Sequence, residues 1–495
     1  MTFRQIVTFA LLLSTIAGCD GRYHSGDRVL VSKCSYDNGI TSPSRSDVVV
    51  FKYPVKPIEN HTPKNFIKRL LGLPEEIIAI FFGRLYRWAP TPGTPPPFDD
   101  RNGVDADGKK VNPNDLWQET YVHKNAQKSK DLFTAGKFEI LRKPPEVMLA
   151  MRRIVYDNDY QAADLKKIGF PDRWAPTPES SWKKDQQTGF SNDGKSVDKV
   201  AWLRYQHLIR PDGPLAGNQA VKPTLILDSL GYNTFQLFPD QEAEGAAGLR
   251  NRVYKHANWV GDLMVECDIE VAEAKGEFWL ELSKGFDRFQ ARWDLASGQC
   301  TLYRVGKDKV AKELAVESTR VKGAGKYMLR LANIDARLTV WVDRQLPFGD
   351  GKTYDPPEML SAQDRAANLK WEDTFARRGP TENDLQPASV GSKGADVKVS
   401  HLRIWRDTYY RTNLHGGDTG EEMSREAWSS PERWDELRKV FNFTTMYVQP
   451  GHYLCLGDNS EASDDSRNWG LVPHRLMLGR ALAVYYPLDR IGPIR

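Results

Sequence analysis

The chain reads as mainly β, with β segments near both of its ends, a β-sandwich between them, and a few short helices. Three observations predict this. Short alternating apolar segments bounded by turn residues recur near both ends and through the middle. Aromatic residues, with 14 Trp, make up 11% of the chain, a composition that suits pleated, half-buried surfaces. At 495 residues the chain also exceeds what one ordinary core supports. Hydrophobic residues at 40% and charged residues at 27% exclude a polytopic membrane protein and wholesale disorder. A net charge of +4 gives no electrostatic case for nucleic-acid binding. Five Cys without a CxxC exclude a disulfide scaffold and a zinc-finger array.

In chain order, residues 1–19 read as a targeting segment. Met1–Gln5 carries Arg4 and no acid, Ile6–Ile16 is mostly apolar, and Ala17 and Gly18 precede Cys19, as in a secretory signal. The apolar run is about half of the roughly 20 residues that span a bilayer. Ile16-Ala17-Gly18-Cys19 resembles the bacterial lipobox, which implies cleavage before Cys19, acylation of its sulfur and a tether on the extracytoplasmic side of the membrane. Residues 20–88 read as a first β segment. Here Arg28–Ser32 and Asp47–Phe51 read as strands.

Residues 89–199 read as linker and irregular insert, with Pro145–Asp157 a short helix and Ser180–Lys199 a polar loop. Residues 200–412 hold Leu263–Val271, Glu277–Leu282, Phe286–Trp293, Cys300–Val305, Lys326–Leu331, Arg337–Val342 and Val397–Trp405 as short strands with turns between them. This pattern resembles laminin-G-like and concanavalin-like sandwiches. Residues 413–495 form a last segment, with Ser424–Asn442 helical and Thr445–Pro487 β. An oxidising compartment would permit disulfides among Cys34, Cys267, Cys300 and Cys455, but the sequence gives no pairing.

Four segments form one constellation: Gly26–Val31, Asp47–Pro54, Phe66–Pro74, and Gly457-Asp458-Asn459 continuing through Ser463, Asp465, Ser466-Arg467 and Trp469–Pro473. In this order they resemble the boxes of type I signal peptidases, serine–lysine endopeptidases that process exported proteins at the membrane. The resemblance covers about residues 26–86 and 451–487, and it implies that residues 20–88 and 413–495 fold together into one signal-peptidase-like β core. It implies that Lys68 is the general base and that Ser463 orients it. It also implies that Asp465 and Arg467 form a buried pair holding the loop, and that Asp458 and Asn459 support the turn before Ser463. An ammonium cannot act as a base, so the Lys68 pKa must fall from about 10.4 by desolvation. Phe66, Ile67, Leu70 and Leu71 are its expected apolar surroundings.

One part of the pattern is broken. The family's nucleophilic Ser, counted back from Gly26-Asp27, falls on Gly18, and the position that helps bind the oxyanion falls on Ile16. Ser25, Ser14 and Cys19 are the conceivable substitutes. Ser25 would need a rearranged loop, Ser14 lies within the signal, and lipidation would consume the Cys19 thiol. The sequence therefore implies a signal peptidase homologue with impaired catalysis. The competing reading is a non-catalytic, membrane-tethered lipoprotein that binds an extended peptide or polymer through the scaffold or the insert.

Nine His form no metal-binding array, and there is no GxGxxG or P-loop, so neither a metal nor a cofactor is expected. Asp262, Asp268, Glu270, Asp287, Asp294 and Asp335 read as a solvated face of the insert. Trp279, Trp293, Trp341 and Trp405 read first as core. Their second reading is a sugar-stacking face, the basis for expecting glycan as a partner of the insert.

Overall fold

The computed structural model describes residues 26–36, 41–54, 64–89, 122–123, 135–167, 169–185, 188–209, 221–228, 255–412, 417–418, 422–424, 426–438 and 444–495. Residues 1–19, with Gly18 and Cys19, lie outside these, as does Ser25.

The two ends of the chain share one sheet. Arg28–Ser32 pairs antiparallel with Met477–Tyr486, which also pairs with Val48–Lys52. Val48–Lys52 pairs in turn with Asn65–Gly72, and that strand with His452–Leu456. Ile77–Phe81 and Arg84–Trp88 form a hairpin in a second sheet that Thr444–Tyr447 joins. Its Gly83 has φ +73, and a Cβ there would lie 2.2 Å from the Tyr409 ring, so the turn requires glycine. The β-branched run Ile77-Ile78 and the following Ala79, Ile80 and Phe81 are fully buried, because both faces of this strand are covered.

The insert is a sandwich of an eight-stranded and a seven-stranded antiparallel sheet. Alternation builds its core. In Asp287–Asp294, every second residue (Phe289, Ala291, Trp293) points inward and is buried, and Asp396–Arg406 supplies Val397, Val399 and Ile404 to the same cluster.

The structure corrects several sequence expectations. Among the described residues of 89–199, several segments are regular and belong to the sheets. Pro145–Met151 is a helix, but Arg153–Asp157 is a strand on Asp396–Arg406. Lys183–Asp185 and Gly189–Asp193 extend the eight-stranded sheet, and Trp174–Pro176 edges the seven-stranded one. The polar loop expected at Ser180–Lys199 thus contains two strands, and the sandwich starts well before residue 200. The helix expected over Ser424–Asn442 is instead three 3₁₀ turns, Glu426–Ser429, Pro431–Arg433 and Glu436–Arg438, with residues 425 and 439–442 outside the described set. Pro431 lacks the amide needed to continue a helix, while Trp428 and Trp434 are both fully buried without one. Cys34, Cys267, Cys300 and Cys455 are all free thiols.

Core and insert meet at a buried ionic junction. Arg84 donates to both carboxylate oxygens of Asp262, at 2.8 and 2.6 Å, and pairs with Glu358; Lys284 reaches Asp262 at 2.6 Å. Lys143 Nζ lies 2.8 Å from both Asp335 and Asp407. Burial alone would lower the Lys143 pKa, but these two carboxylates outweigh it and hold the ammonium well above its ordinary value.

Candidate active site at the meeting of the two chain ends

Asn65–Gly72 alternates across its sheet, so Phe66, Lys68 and Leu70 share one face and Ile67, Arg69 and Leu71 the other. His452–Leu456 runs antiparallel beside it, with Leu456 opposite Arg69, and so delivers Gly457 next to Lys68. The chain then turns through Asp458, Asn459 and Ser460–Ala462 to Ser463, which is buried. Lys68 Nζ donates to Ser463 Oγ at 2.9 Å, joining residues 395 positions apart.

Gly457 makes this approach possible. A Cβ on it would lie 1.9 Å from Ser463 Oγ and 3.4 Å from Lys68 Nζ, so any side chain there would expel the hydroxyl from the amine. Asp465 closes the loop. Its Oδ2 accepts from the Gly457 amide at 2.9 Å, while Arg467 grips both its oxygens, Nε on Oδ1 at 2.9 Å and Nη2 on Oδ2 at 2.7 Å. The pair is almost wholly buried, and this fork geometry is the one that suits Arg over Lys.

Asp458 anchors the other side of the loop, taking Arg69 Nε at 2.9 Å and Nη2 at 2.7 Å. Lys68 and Arg69 therefore hold the loop from opposite faces of one strand. Asn459 is exposed and precedes the turn without a side-chain cap hydrogen bond.

Of the apolar neighbours expected around Lys68, Phe66 is in place, but Ile67 and Leu71 are not. Ile67 points away and is 44% exposed, and Leu71 packs in a different cluster with Ile78 and Leu454. The amine lies 5.8 Å from the centre of the Phe66 ring and, from a distant segment, 5.8 Å from that of Trp469. Those rings pack edge to face at 5.1 Å, and Tyr53 stacks on Phe66 at 5.0 Å. Burial in this aromatic corner lowers the Lys68 pKa. Asp465, Asp464 and Asp458 pull it back up in part, and Arg467 pushes it further down. A half-buried amine with a lowered pKa, hydrogen-bonded to a hydroxyl, is the arrangement a lysine base needs.

Arg69, Gly457, Ser460 and Trp469 were missed as functional positions. All four lie in or beside the quoted motifs, but only the folded register shows what each one touches.

The other candidates lie elsewhere. Trp293 and Trp341 are core, and Trp405 is largely covered, whereas Trp279 is half-buried on the outer face of the seven-stranded sheet. Asp262 and Asp335 belong to the buried junction and not to a solvated face. Oxygens of Asp262, Asp335 and Asp407 lie within 4.8 Å of one another, but each carboxylate already accepts from Arg84, Lys284 or Lys143.

The family model described as signal peptidase, peptidase S26, matches residues 4–148 and 390–486. It reaches further into the chain than the sequence motifs do. Among relatives, probable signal peptidase I-2 of Synechocystis sp. is 40% identical over 144 residues, 29% of this chain and 50% of that protein. Signal peptidase I of Leptolyngbya laminosa is 43% identical over 146 residues, 30% of this chain and 56% of that one. The chain spans about half the length of the curated relatives it matches.

Among solved structures, carbohydrate binding module CBM66 from Bacillus subtilis aligns over 47% of this chain and 94% of its own, with 10% identity and a TM-score of 0.25. Galectin LEC-6 of Caenorhabditis elegans aligns over 29% and 83%, with 9% identity and a TM-score of 0.20. Such scores bear on neither fold nor ligand, and the sandwich rests on its own two sheets. The motifs, the paired chain ends and the family match agree: this chain is a signal peptidase I homologue whose peptidase S26 domain is divided between its two ends.

Proposed function

We propose that the chain is of serine–lysine endopeptidase lineage, recognises the extended, signal-peptide-bearing segments of exported proteins, and has impaired catalysis. The observation that carries this reading is the 2.9 Å hydrogen bond from Lys68 to Ser463 inside an aromatic corner, alongside Gly18 at the nucleophile position. In this reading Lys68 is the base, Ser463 orients it, and Asp465 with Arg467 holds the loop. An intact frame still offers an extended peptide main-chain hydrogen bonds at strand edges.

The protein acts on the extracytoplasmic side of the membrane, tethered through Cys19. Leu30, Leu482, Tyr485, Leu488 and Ile491 are exposed apolar side chains on or beside the paired terminal strands, in keeping with a membrane-facing surface. No helix among the described residues is long and apolar enough to cross a membrane.

The test compares wild type with Lys68→Ala on a signal-peptide substrate. Absence of cleavage by either, with retained binding of a signal-peptide mimic, is the expected result. Cleavage that vanishes with the lysine restores full enzyme status and calls for a nucleophile other than Gly18. Failure to bind the mimic overturns the reading.

A second reading, a lipoprotein whose insert binds a glycan, is favoured by one observation. Trp202, Trp279 and Tyr303 line up half-buried on the outer face of the seven-stranded sheet, with ring centres 6.3 and 6.1 Å apart. Arg292 lies over both Trp279 and Tyr303. Retention of wild type but not Trp279→Ala on immobilised polysaccharide would support it.

A further inference from the structure

The loop that presents Ser463 is held by more than its own ion pair. Where the chain leaves the last long strand of the insert, Asp396–Arg406, the segment through Arg411 runs directly against this loop. Thr408 Oγ1 donates to the Asp458 carbonyl at 3.3 Å. The Arg411 amide donates to Ser460 Oγ at 3.2 Å, and the Arg411 carbonyl accepts from Arg467 Nη1 at 3.1 Å. Arg467 Nη1 also donates to Ser460 Oγ at 2.7 Å. Ser460 and Arg467 are thus both clamped to the backbone of residue 411.

That backbone is itself fixed by its side chain. Arg411 Nε and Nη2 reach the two oxygens of Asp228 at 2.6 and 3.0 Å. Asp228 also accepts from the amide and the side chain of Asn258, at 2.8 and 3.0 Å. Burial would raise the Asp228 pKa, but the charge and hydrogen bonds of Arg411 outweigh it and keep the carboxylate ionised. Asp228 and Asn258 lie far from the two peptidase segments in sequence, so the anchor of the Ser463 loop comes from the inserted part of the chain.

We propose that Arg411, locked by Asp228, is a positioning residue that holds the 457–467 loop so that Ser463 stays against the Lys68 amine. The insert is then an integral part of the site. This rests on the reading of Lys68 and Ser463 as the functional pair, and its test does not need catalysis.

The measurement is the titration of Lys68 in the full chain, followed by the ¹³Cε signal that disappears in Lys68→Arg. Arg411→Met, Asp228→Asn and the double variant are compared with wild type. If Arg411 positions the loop, all three release Ser463, admit water to the amine and raise the Lys68 pKa by about one unit, the scale of ordinary environmental shifts. If Arg411 and Asp228 act only through space, removing the cation raises the Lys68 pKa, removing the anion lowers it, and the double variant leaves it nearly unchanged. Opposite shifts, or no shift in the double variant, overturn the proposal. The double variant removes both charges of the Arg411–Asp228 pair together, so it stays informative even if a single variant fails to fold. A wild-type Lys68 that titrates at the ordinary value near about 10.4 instead overturns the underlying functional reading.

Discussion

Lys68 and Lys143 are two lysines withdrawn from water, with opposite results. Lys143 sits between Asp335 and Asp407, and its ammonium is held well above the ordinary range. Lys68 faces a neutral hydroxyl and two aromatic rings, with carboxylates acting only through space, and its pKa is lowered. Burial is common to both, and the atoms in contact decide the sign. A lysine bonded to carboxylates is a structural cation. One bonded to a hydroxyl is poised to shed its proton.

The largest effect should come from the junction. Lys143→Met leaves Asp335 and Asp407 buried without their cation and should cost about 3–5 kcal/mol, measured by chemical denaturation. A loss near zero would mean that water relieves these carboxylates and that the two lysines differ less than their surroundings suggest. Gly457→Ala should come next. Its new Cβ displaces the Ser463 hydroxyl, costing about 1–3 kcal/mol of overpacking and weakening retention on a signal-peptide mimic. Ser463→Ala removes one hydrogen bond and should cost about 1 kcal/mol by denaturation, and it should raise the Lys68 titration point as water takes the place of the hydroxyl.

The smallest effect in neutral solution is that of Lys68→Met, where an amine held against its preference is replaced by an apolar side chain. Here the pH dependence is the informative part. Between the lowered folded pKa of Lys68 and about 10.4, the unfolded chain keeps a proton that the folded protein has released. Wild-type stability therefore rises with pH through that window, and the destabilising contribution is fully present below it. Lys68→Met should lose this slope, as read by denaturation at several alkaline pH values. An unchanged slope would mean that Lys68 is not desolvated.

Part of this was legible in the sequence. Lys68 and Ser463 could be put together across 395 positions because each sits in a string of residue types with a fixed order. Leu263–Val271 and Arg337–Val342 were readable to the residue because alternation and turns bound them. The surroundings of Lys68 were not. Phe66 is near in both sequence and space, but the strand sends Ile67 and Leu71 to the opposite face, and the Trp469 ring comes from a distant segment. Lys183–Asp185 was unreadable for another reason. Its three polar residues carry no pattern of their own and are strand only because Gly189–Asp193 folds back on them. The 3₁₀ turns around Trp428 and Trp434 mimic helical spacing, since two bulky rings can be buried by successive tight turns.

The pairing of Arg28–Ser32 with Met477–Tyr486 has a consequence for biogenesis. Arg28–Ser32 emerges from the ribosome and must wait for this partner while more than four hundred residues, the whole insert among them, are made. The sandwich has all its strands before the last one appears, so it folds as a unit first. The peptidase sheet closes only when Met477–Tyr486 arrives, a contact of very long range and therefore slow. Until then its apolar edges are exposed to whatever chaperone attends the emerging chain, and a product interrupted before Met477 would carry a finished insert and an open, adhesive core.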